Sequence, residues 1–474
     1  MSNKTKIVAT IGPSSNSKPV LKKLFFSGMN VARLNFSHGC YKDHGKVINS
    51  IRSLSKEMGK PVGILLDLQG PKIRTGSLKN GKPVLLRKNK TIQITSKQVS
   101  GSSDIVSTTY KNLSKDVKKG DKILIDDGLI ELKVLSKTID TVTCKIISGG
   151  KLKEHKGINL PGVKVSAPSL TEKDKKDLLF GLKKGVDFFA LSFVRNVNDL
   201  KHIKKIIKLN GADTPVIAKI EKPEAVVKLN EILKIADGIM VARGDLGVEM
   251  KPEMVPKIQK EIISKSIIAN KPVITATQML ESMTDKPIPT RAEASDVANA
   301  IYDGTDAIML SGETAVGKYP AMAVKMMTRI AAETESSPFM KYNIQHKKDR
   351  HDPVTNAIAQ ACVNILHEVN AKAIVTFSIT GKTSKLISKH RPLSPVYAFS
   401  PSEKIYHKLS LVWGVTPLLI PSINDAKRLI EAGEKIIINN KFAKTNDLII
   451  IVTGLALQSG STNLIKIHTI GKED

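Results

Sequence analysis

Eight short apolar runs punctuate the first 313 residues: KIVATIG (6–12), NVARLNF (30–36), VGILLDL (62–68), VDFFALSFV (186–194), VIAKIE (216–221), GIMVAR (238–243), PVITAT (272–277) and AIMLSGE (307–313). Amphipathic, helix-like stretches such as KDHGKVINSIRSLSKEMG, NDLKHIKKIIKLNG and KPEAVVKLNEILKIADG lie between them. Alternation of this kind predicts parallel βα units. Eight such units in one module predict an α/β fold built on a (β/α)8 TIM barrel. An open doubly wound sheet is the alternative, but it needs a strand-order switch and a glycine-rich fingerprint after its first strand. Within the third unit the texture changes to turn-punctuated β segments (TIQIT, KILIDDGLIELKVL, TVTCKII, GINLPG), the pattern of β-hairpins. A small β-barrel inserted there, at the active-site end of a barrel, would form a lid. After the polar stretch SSPFMKYNIQHKKDRHD, read as a linker, helix and strand patterns alternate again through AKAIVTFS, PVYAFS, TPLLIPS, DLIIIVTG and NLIKIHTI. The expected organisation is a barrel over 1–69 and 168–337, an inserted domain over 70–167 and a C-terminal α/β domain over 338–474.

Polar residues gather where the runs end: Arg33 and Asn35, Asp67, Ser192 and Arg195, Lys219 and Glu221, Arg243 and Asp245, Thr277, Ser311 and Glu313. Barrel active sites are built at that C-terminal face. The segment Pro215–Met250 is the most informative. Residues two apart in a strand share a face, so Lys219 and Glu221 point the same way. If the runs holding Glu221 and Asp245 are neighbouring parallel strands, the two carboxylates sit side by side. Two hard oxygen ligands beside a lysine suit a divalent metal that holds a phosphorylated anion. The GDLG turn that follows could expose the amides of Gly244 and Asp245 at a helix start, a second anion-binding device.

Composition narrows the classes. A hydrophobic fraction of 41% is that of an ordinary globular protein, and no apolar run is long enough to span a bilayer. The N-terminus enters an apolar strand almost at once, which leaves no room before it for a signal or transit peptide. Three widely spaced cysteines, Cys40, Cys144 and Cys362, offer neither metal-ligand spacing nor a disulfide framework and suit a reducing, cytoplasmic setting. A net charge of +30 raises the question of nucleic acid. Most of that charge is lysine spread along helical segments, and aromatics are 4%, too few for base-stacking platforms. The expectation is a basic, solvated surface that draws in anionic substrates, with neither nucleic acid nor membrane as a partner.

The segments KIVATIGPSS, ARLNFSHG, LLDLQGPKIRTG, KGINLPG, KIEKPE, MVARGDLG, ITATQMLESM, PTRAEASDVANA and IMLSGETAVGKYP resemble the signature segments of pyruvate kinases. The likeness is highly specific over the first 330 residues and looser beyond them. It implies the same three-part architecture and transfer of a phosphoryl group from phosphoenolpyruvate to ADP, giving pyruvate and ATP in the last step of glycolysis. Carried over by motif, Glu221 and Asp245 hold Mg2+ or Mn2+. Lys219 stabilises charge on the phosphoryl group, and Arg33 clamps the phosphate. The backbone at Gly244 and Asp245 takes the substrate carboxylate. Thr277 contacts the substrate and helps deliver a proton to the enolate. Asn35, His38 and Lys156 contact the nucleotide, and Arg74, counted with Lys219 and Thr277 as catalytic, reaches the nucleotide or the transferring phosphate from the lid hinge. Ser311 and Glu313 resemble scaffold positions outside the group that touches substrate.

Many members of that family hold potassium at residues matching Asn35, Ser37 and Asp67, with a threonine after the aspartate and a glutamate before the Ile-Arg pair. Here Leu68 and Lys72 stand at those two places. The expectation is that the Lys72 ammonium supplies the missing cation and that potassium is not required. Thr75, after Arg74, resembles the potassium-requiring branch instead. In the C-terminal domain, SITGKTSK (378–385) resembles the family's loop for phosphorylated-sugar effectors, with Ser378, Thr380, Gly381, Lys382, Thr383 and Ser384 as contacts. The later loop TGLALQSGSTN (453–463) lacks the Trp and Arg found in fructose-bisphosphate-responsive members, so the effector's identity stays open. The family's usual state is a homotetramer. A metal-dependent pyruvate aldolase would share the Glu–Asp pair but would need neither lid nor nucleotide contacts.

Overall fold

The structure is a computed structural model, which describes residues 3–341, 353–454 and 462–472. Each of the eight apolar runs forms a strand: β1 (Lys6–Ile11), β2 (Val31–Asn35), β3 (Gly63–Asp67), β4 (Phe188–Leu191), β5 (Val216–Ile220), β6 (Gly238–Ala242), β7 (Val273–Ala276) and β8 (Ala307–Leu310). They close into one all-parallel barrel in sequential order, β8 returning to pair with β1. The strands carry apolar side chains on both faces. Val8, Val31, Leu65, Ile217, Met240, Ile274 and Met309 pack inside the barrel, while Ile7, Ala9, Ile64, Leu66, Val241 and Ile308 meet the surrounding helices. Burial on both sides is why these strands read as continuous apolar runs.

At the opposite end from the site, the residue before every second strand is Asn or Asp and caps the preceding strand. Asn30 Oδ1 accepts from Ile7 N at 2.9 Å. Asp187 Oδ2 accepts from Ile64 N at 2.7 Å. Asp237 Oδ2 accepts from Val216 N at 2.8 Å, and Asp306 Oδ2 from Val273 N at 2.8 Å. Each cap satisfies an amide at a strand entry, where the barrel ladder has no partner for it.

Between β3 and the helix Glu172–Lys184 lies the β-rich insertion. It contains a six-stranded sheet and a two-stranded sheet around their own apolar core, which includes Ile92, Ile94, Ile123, Leu132, Val142 and Ile146. Burial alternates along Thr141–Ser148, as a one-sided strand requires.

The C-terminal part holds β9 (Ala373–Phe377), β10 (Val396–Ser400), β11 (Val415–Leu419), β12 (Leu448–Gly454) and β13 (Thr462–Thr469). They form one sheet, order β11-β10-β9-β12-β13, parallel except for the β12–β13 pair. Its Leu411 joins the apolar cluster inside the barrel and stoppers the end remote from the site. Most of the linker, residues 342–352, and residues 455–461 of the later loop lie outside the described residues.

Two sequence expectations change in detail. The stretch read as one helix after Glu221 is two, Pro223–Val227 and Leu229–Ile235, turning at Lys228 so that Leu229, Ile232 and Leu233 bury while Val227 faces solvent. The helical pattern between PVYAFS and TPLLIPS is an α-helix only over Glu403–Lys408 and tightens into a 3-10 turn over Leu409–Leu411.

Candidate active site

The strand ends converge on Lys219, on β5. Its ammonium lies 2.8 Å from Glu221 Oε1 and 3.3 Å from Asp67 Oδ1, and donates to Ser192 Oγ at 2.8 Å. Burial alone would strip its proton, but Asp67 and Glu221 outweigh that and raise its pKa well above the ordinary lysine value. It stays charged at any working pH. Asp67, at the end of β3, is 1% exposed. It accepts from Arg33 Nε at 2.7 Å and pairs with Arg33 Nη2 at 2.7 Å. Burial would raise the Asp67 carboxyl, yet Lys219 and Arg33 hold it below its ordinary value. Arg33 also donates to Thr10 Oγ1 at 2.9 Å.

Strands β5 and β6 are neighbours, with Ile220 opposite Val241, so the premise that placed Glu221 beside Asp245 holds. Glu221 Oε2 also accepts from Phe193 N at 2.8 Å. Burial raises the Glu221 carboxyl, Lys219 opposes this, and Asp245 adds to it. A buried carboxylate with a like charge beside it is stabilised by a hard cation. Among the described residues no three His, Cys, Asp or Glu gather into a ready-made metal cage. A two-carboxylate site that leaves its other positions to water and substrate oxygens is the arrangement Mg2+ favours.

Thr277, directly after β7, lies in the left-handed region at φ 70°, and Gln278 follows at φ 52°. A β-branched residue there is an outlier that costs about 1–3 kcal/mol. The Thr277 hydroxyl donates to Ala276 O at 2.6 Å and accepts from Gly244 N at 2.7 Å. The Gly244 amide, expected to face a substrate carboxylate, is therefore engaged by Thr277.

The insertion and the barrel enclose a cleft of about 300 Å3 whose walls include Lys72, Arg74, Lys156, Phe193 and Asp245. Lys72 is exposed along the wall, yet its pKa is lowered by desolvation and by the nearby charges of Lys219 and Arg74, partly offset by Asp245 and Asp67. Lys156 is held by Asp126 at 2.8 Å. The His38 imidazole is pushed down by burial and by Lys72, Arg74 and Arg33, so it is neutral near pH 7. Asn35 stands opposite Asp67 across β2 and β3 and accepts from Ser37 N at 3.1 Å. Ser311 and Glu313 lie apart from the lysine: Glu313 is buried and accepts from Ser311 N and Leu280 N.

Sequence reading left the partners of three contributors unassigned. Thr10 lies inside the segment KIVATIGPSS and Ser192 is one of the polar run ends, but neither position by itself assigns its hydroxyl to Arg33 or to Lys219. Asp67 was expected only as a monovalent-cation ligand and is a direct partner of both Arg33 and Lys219.

Residues 2–324 match the family model for the pyruvate kinase barrel domain, and residues 356–468 match the pyruvate kinase alpha/beta domain. The chain belongs to the pyruvate kinase family. It is 48% identical to a pyruvate kinase of Sporosarcina psychrophila over 99% of this chain and 80% of that one. It is 46% identical to one from Geobacillus stearothermophilus, over 99% and 81%. A crystal structure of a pyruvate kinase from Cryptosporidium parvum superposes with a TM-score of 0.92 at 40% identity, covering 99% of this chain and 96% of that one. Members of the family are phosphotransferases, and the (β/α)8 fold read from the eight apolar runs is the family's fold. Among the described residues, no helix is long and apolar enough to cross a membrane.

Proposed function

We propose that this chain moves the phosphoryl group of phosphoenolpyruvate to ADP, with Mg2+ or Mn2+ at Glu221 and Asp245 and with Lys72 in the place of potassium. The observation that carries the reading is the buried Lys219 ammonium, held between Asp67 and Glu221 and kept charged by both. The bond from phosphorus to the enolate oxygen breaks, a bond to the terminal oxygen of ADP forms, and the enolate methylene takes a proton. Lys219 and Arg33 neutralise the phosphoryl oxygens during transfer. The divalent ion, when bound, would neutralise charge on the phosphoryl and enolate oxygens. Asn35, His38, Arg74 and Lys156 line the nucleotide side, and the inserted domain acts as a lid that excludes water. The Thr277 hydroxyl donates its hydrogen bond to Ala276 O, so its free lone pair holds a water that relays a proton from solvent to the enolate methylene.

Lys72 carries the potassium argument: its charge lies within Coulombic reach of Asp67 and Asp245, and Leu68 replaces a hydroxyl ligand with a buried apolar side chain. A coupled assay with phosphoenolpyruvate, ADP and Mg2+ in potassium-free buffer tests both parts. Full turnover there is expected, and Lys72→Glu is expected to make turnover potassium-dependent. Absence of pyruvate with or without potassium defeats the whole reading; turnover that collapses only without potassium defeats the Lys72 part.

A sugar phosphate at Ser378, Thr380, Gly381, Lys382, Thr383 and Ser384 would act as effector. Gly381 sits at φ 73° and its amide is held by Ser378 Oγ at 2.9 Å, which shapes the loop before the helix Lys382–Lys389. A homotetramer in the cytoplasm is the expected working form. Titrating sugar phosphates against the phosphoenolpyruvate saturation curve, and light scattering, check these two points.

A further inference from the structure

We propose that Arg243 is a positioning residue for the proton-transfer end of the reaction: it holds the Thr277–Gln278 turn in its unfavourable backbone conformation and so places the Thr277 hydroxyl. Two consecutive residues there, neither of them glycine, have φ of 70° and 52°. A chain does not stay in that conformation unless its surroundings impose it. The imposing group is visible. Arg243 Nη2 donates to Thr277 O at 2.8 Å and to Gln278 O at 3.1 Å, and its Nε reaches Thr277 O at 3.3 Å.

The other side of the fork is anchored on two helices. Nη1 donates to Asp296 Oδ1 at 2.8 Å, on the helix Arg291–Tyr302, and to Gln259 Oε1 at 3.4 Å, on the helix Val255–Ile268. The guanidinium therefore ties two left-handed carbonyls to the scaffold of the barrel. The next residue completes the grip, because Gly244 N donates to Thr277 Oγ1 at 2.7 Å. Consecutive residues directly after β6 thus fix both the backbone and the hydroxyl of the residue that follows β7. Only a planar group with five donors can reach both carbonyls and the carboxylate together, so a lysine cannot replace it.

This inference rests on the phosphotransfer reading, and its test separates the two. Turnover of phosphoenolpyruvate and ADP by the unsubstituted enzyme is measured first, since its absence overturns the underlying reading. Arg243→Gln and Arg243→Lys are then expected to lower kcat about 10- to 100-fold, with KM for both substrates changed by less than about threefold. Exchange of the pyruvate methyl protons with deuterated solvent, followed by NMR, is expected to slow in proportion. Gln278→Gly alone is expected to leave turnover near the parental level. Combined with Arg243→Gln it is expected to restore kcat at least about fivefold, because glycine adopts positive φ without help. A purely structural arginine predicts no such rescue. Arg243 variants that keep kcat within twofold, or a folded double variant no faster than Arg243→Gln, overturn the proposal. If Arg243→Gln does not fold, the same comparison is read in Arg243→Lys.

Discussion

A single ammonium organises the mouth of this barrel. Lys219 would be a poor cation if buried alone, and Asp67 a poor anion; Asp67 and Lys219 hold one another's charge states, while burial and Asp245 still raise the Glu221 carboxyl against Lys219. His407 shows the opposite case. Its ring is half-buried with no partner for Nδ1, and burial plus Arg52, against a backbone hydrogen bond to Val62, push its pKa from 6.5 to about 4. The unfolded chain takes up this proton at a higher pH than the folded one, so stability falls as pH drops from 6.5 towards 4. The loss amounts to about 3 kcal/mol over that window. His407→Gln is expected to flatten that part of the stability curve, read from urea midpoints across the range. An unchanged slope would place the acid sensitivity elsewhere.

Elements here are set by close approach as much as by propensity. Gly181 lies inside the helix Glu172–Lys184, where alanine would normally stabilise by about 0.5–1 kcal/mol. A Cβ at this position would meet Phe189 Cε1 at 2.6 Å and Leu66 Cδ1 at 2.7 Å. Both side chains are fully buried and have nowhere to move. Overpacking of about 1–3 kcal/mol outweighs the propensity gain. Gly181→Ala is thus expected to lower the urea midpoint, by about 1–2 kcal/mol of stability, and a raised midpoint would show that the helix can shift outward. The strand-entry caps are a second device of this scale. Asp187, Asp237 and Asp306 each also meet a cation, Arg52, Lys204 and Arg391 respectively.

At the scale of the molecule, the last of those pairs joins two domains. Arg391, from the C-terminal part, lies 2.9 Å from Asp306 at the base of β8, donates to Gly304 O, and stacks on Trp413. Both charges are buried, so removing either partner strands the other at a cost of about 3–5 kcal/mol. Asp306→Ala is expected to destabilise by that amount and Asp306→Ala/Arg391→Met by less, as a double-mutant cycle in urea would measure. Additive losses would mean that the ion pair does not couple the domains. Leu411, seated inside the barrel, makes the same joint apolar.

The hydrophobic pattern by itself determined the eight strands and their closure, because burial on both faces leaves an uninterrupted apolar run that periodicity exposes. It also marked Lys219, Glu221 and Asp245, since a polar side chain that ends such a run must lie at the barrel mouth. Only the tertiary structure decided which of those groups touch. Asp67, Ser192 and Thr10 come from other strands, and nothing along the chain says that they meet Lys219 and Arg33. The left-handed turn at Thr277 was equally invisible, because neither residue is one that local preference would place there. Contacts across a closed barrel, not the chain's own periodicity, hold that turn and set the charge of each group at the mouth.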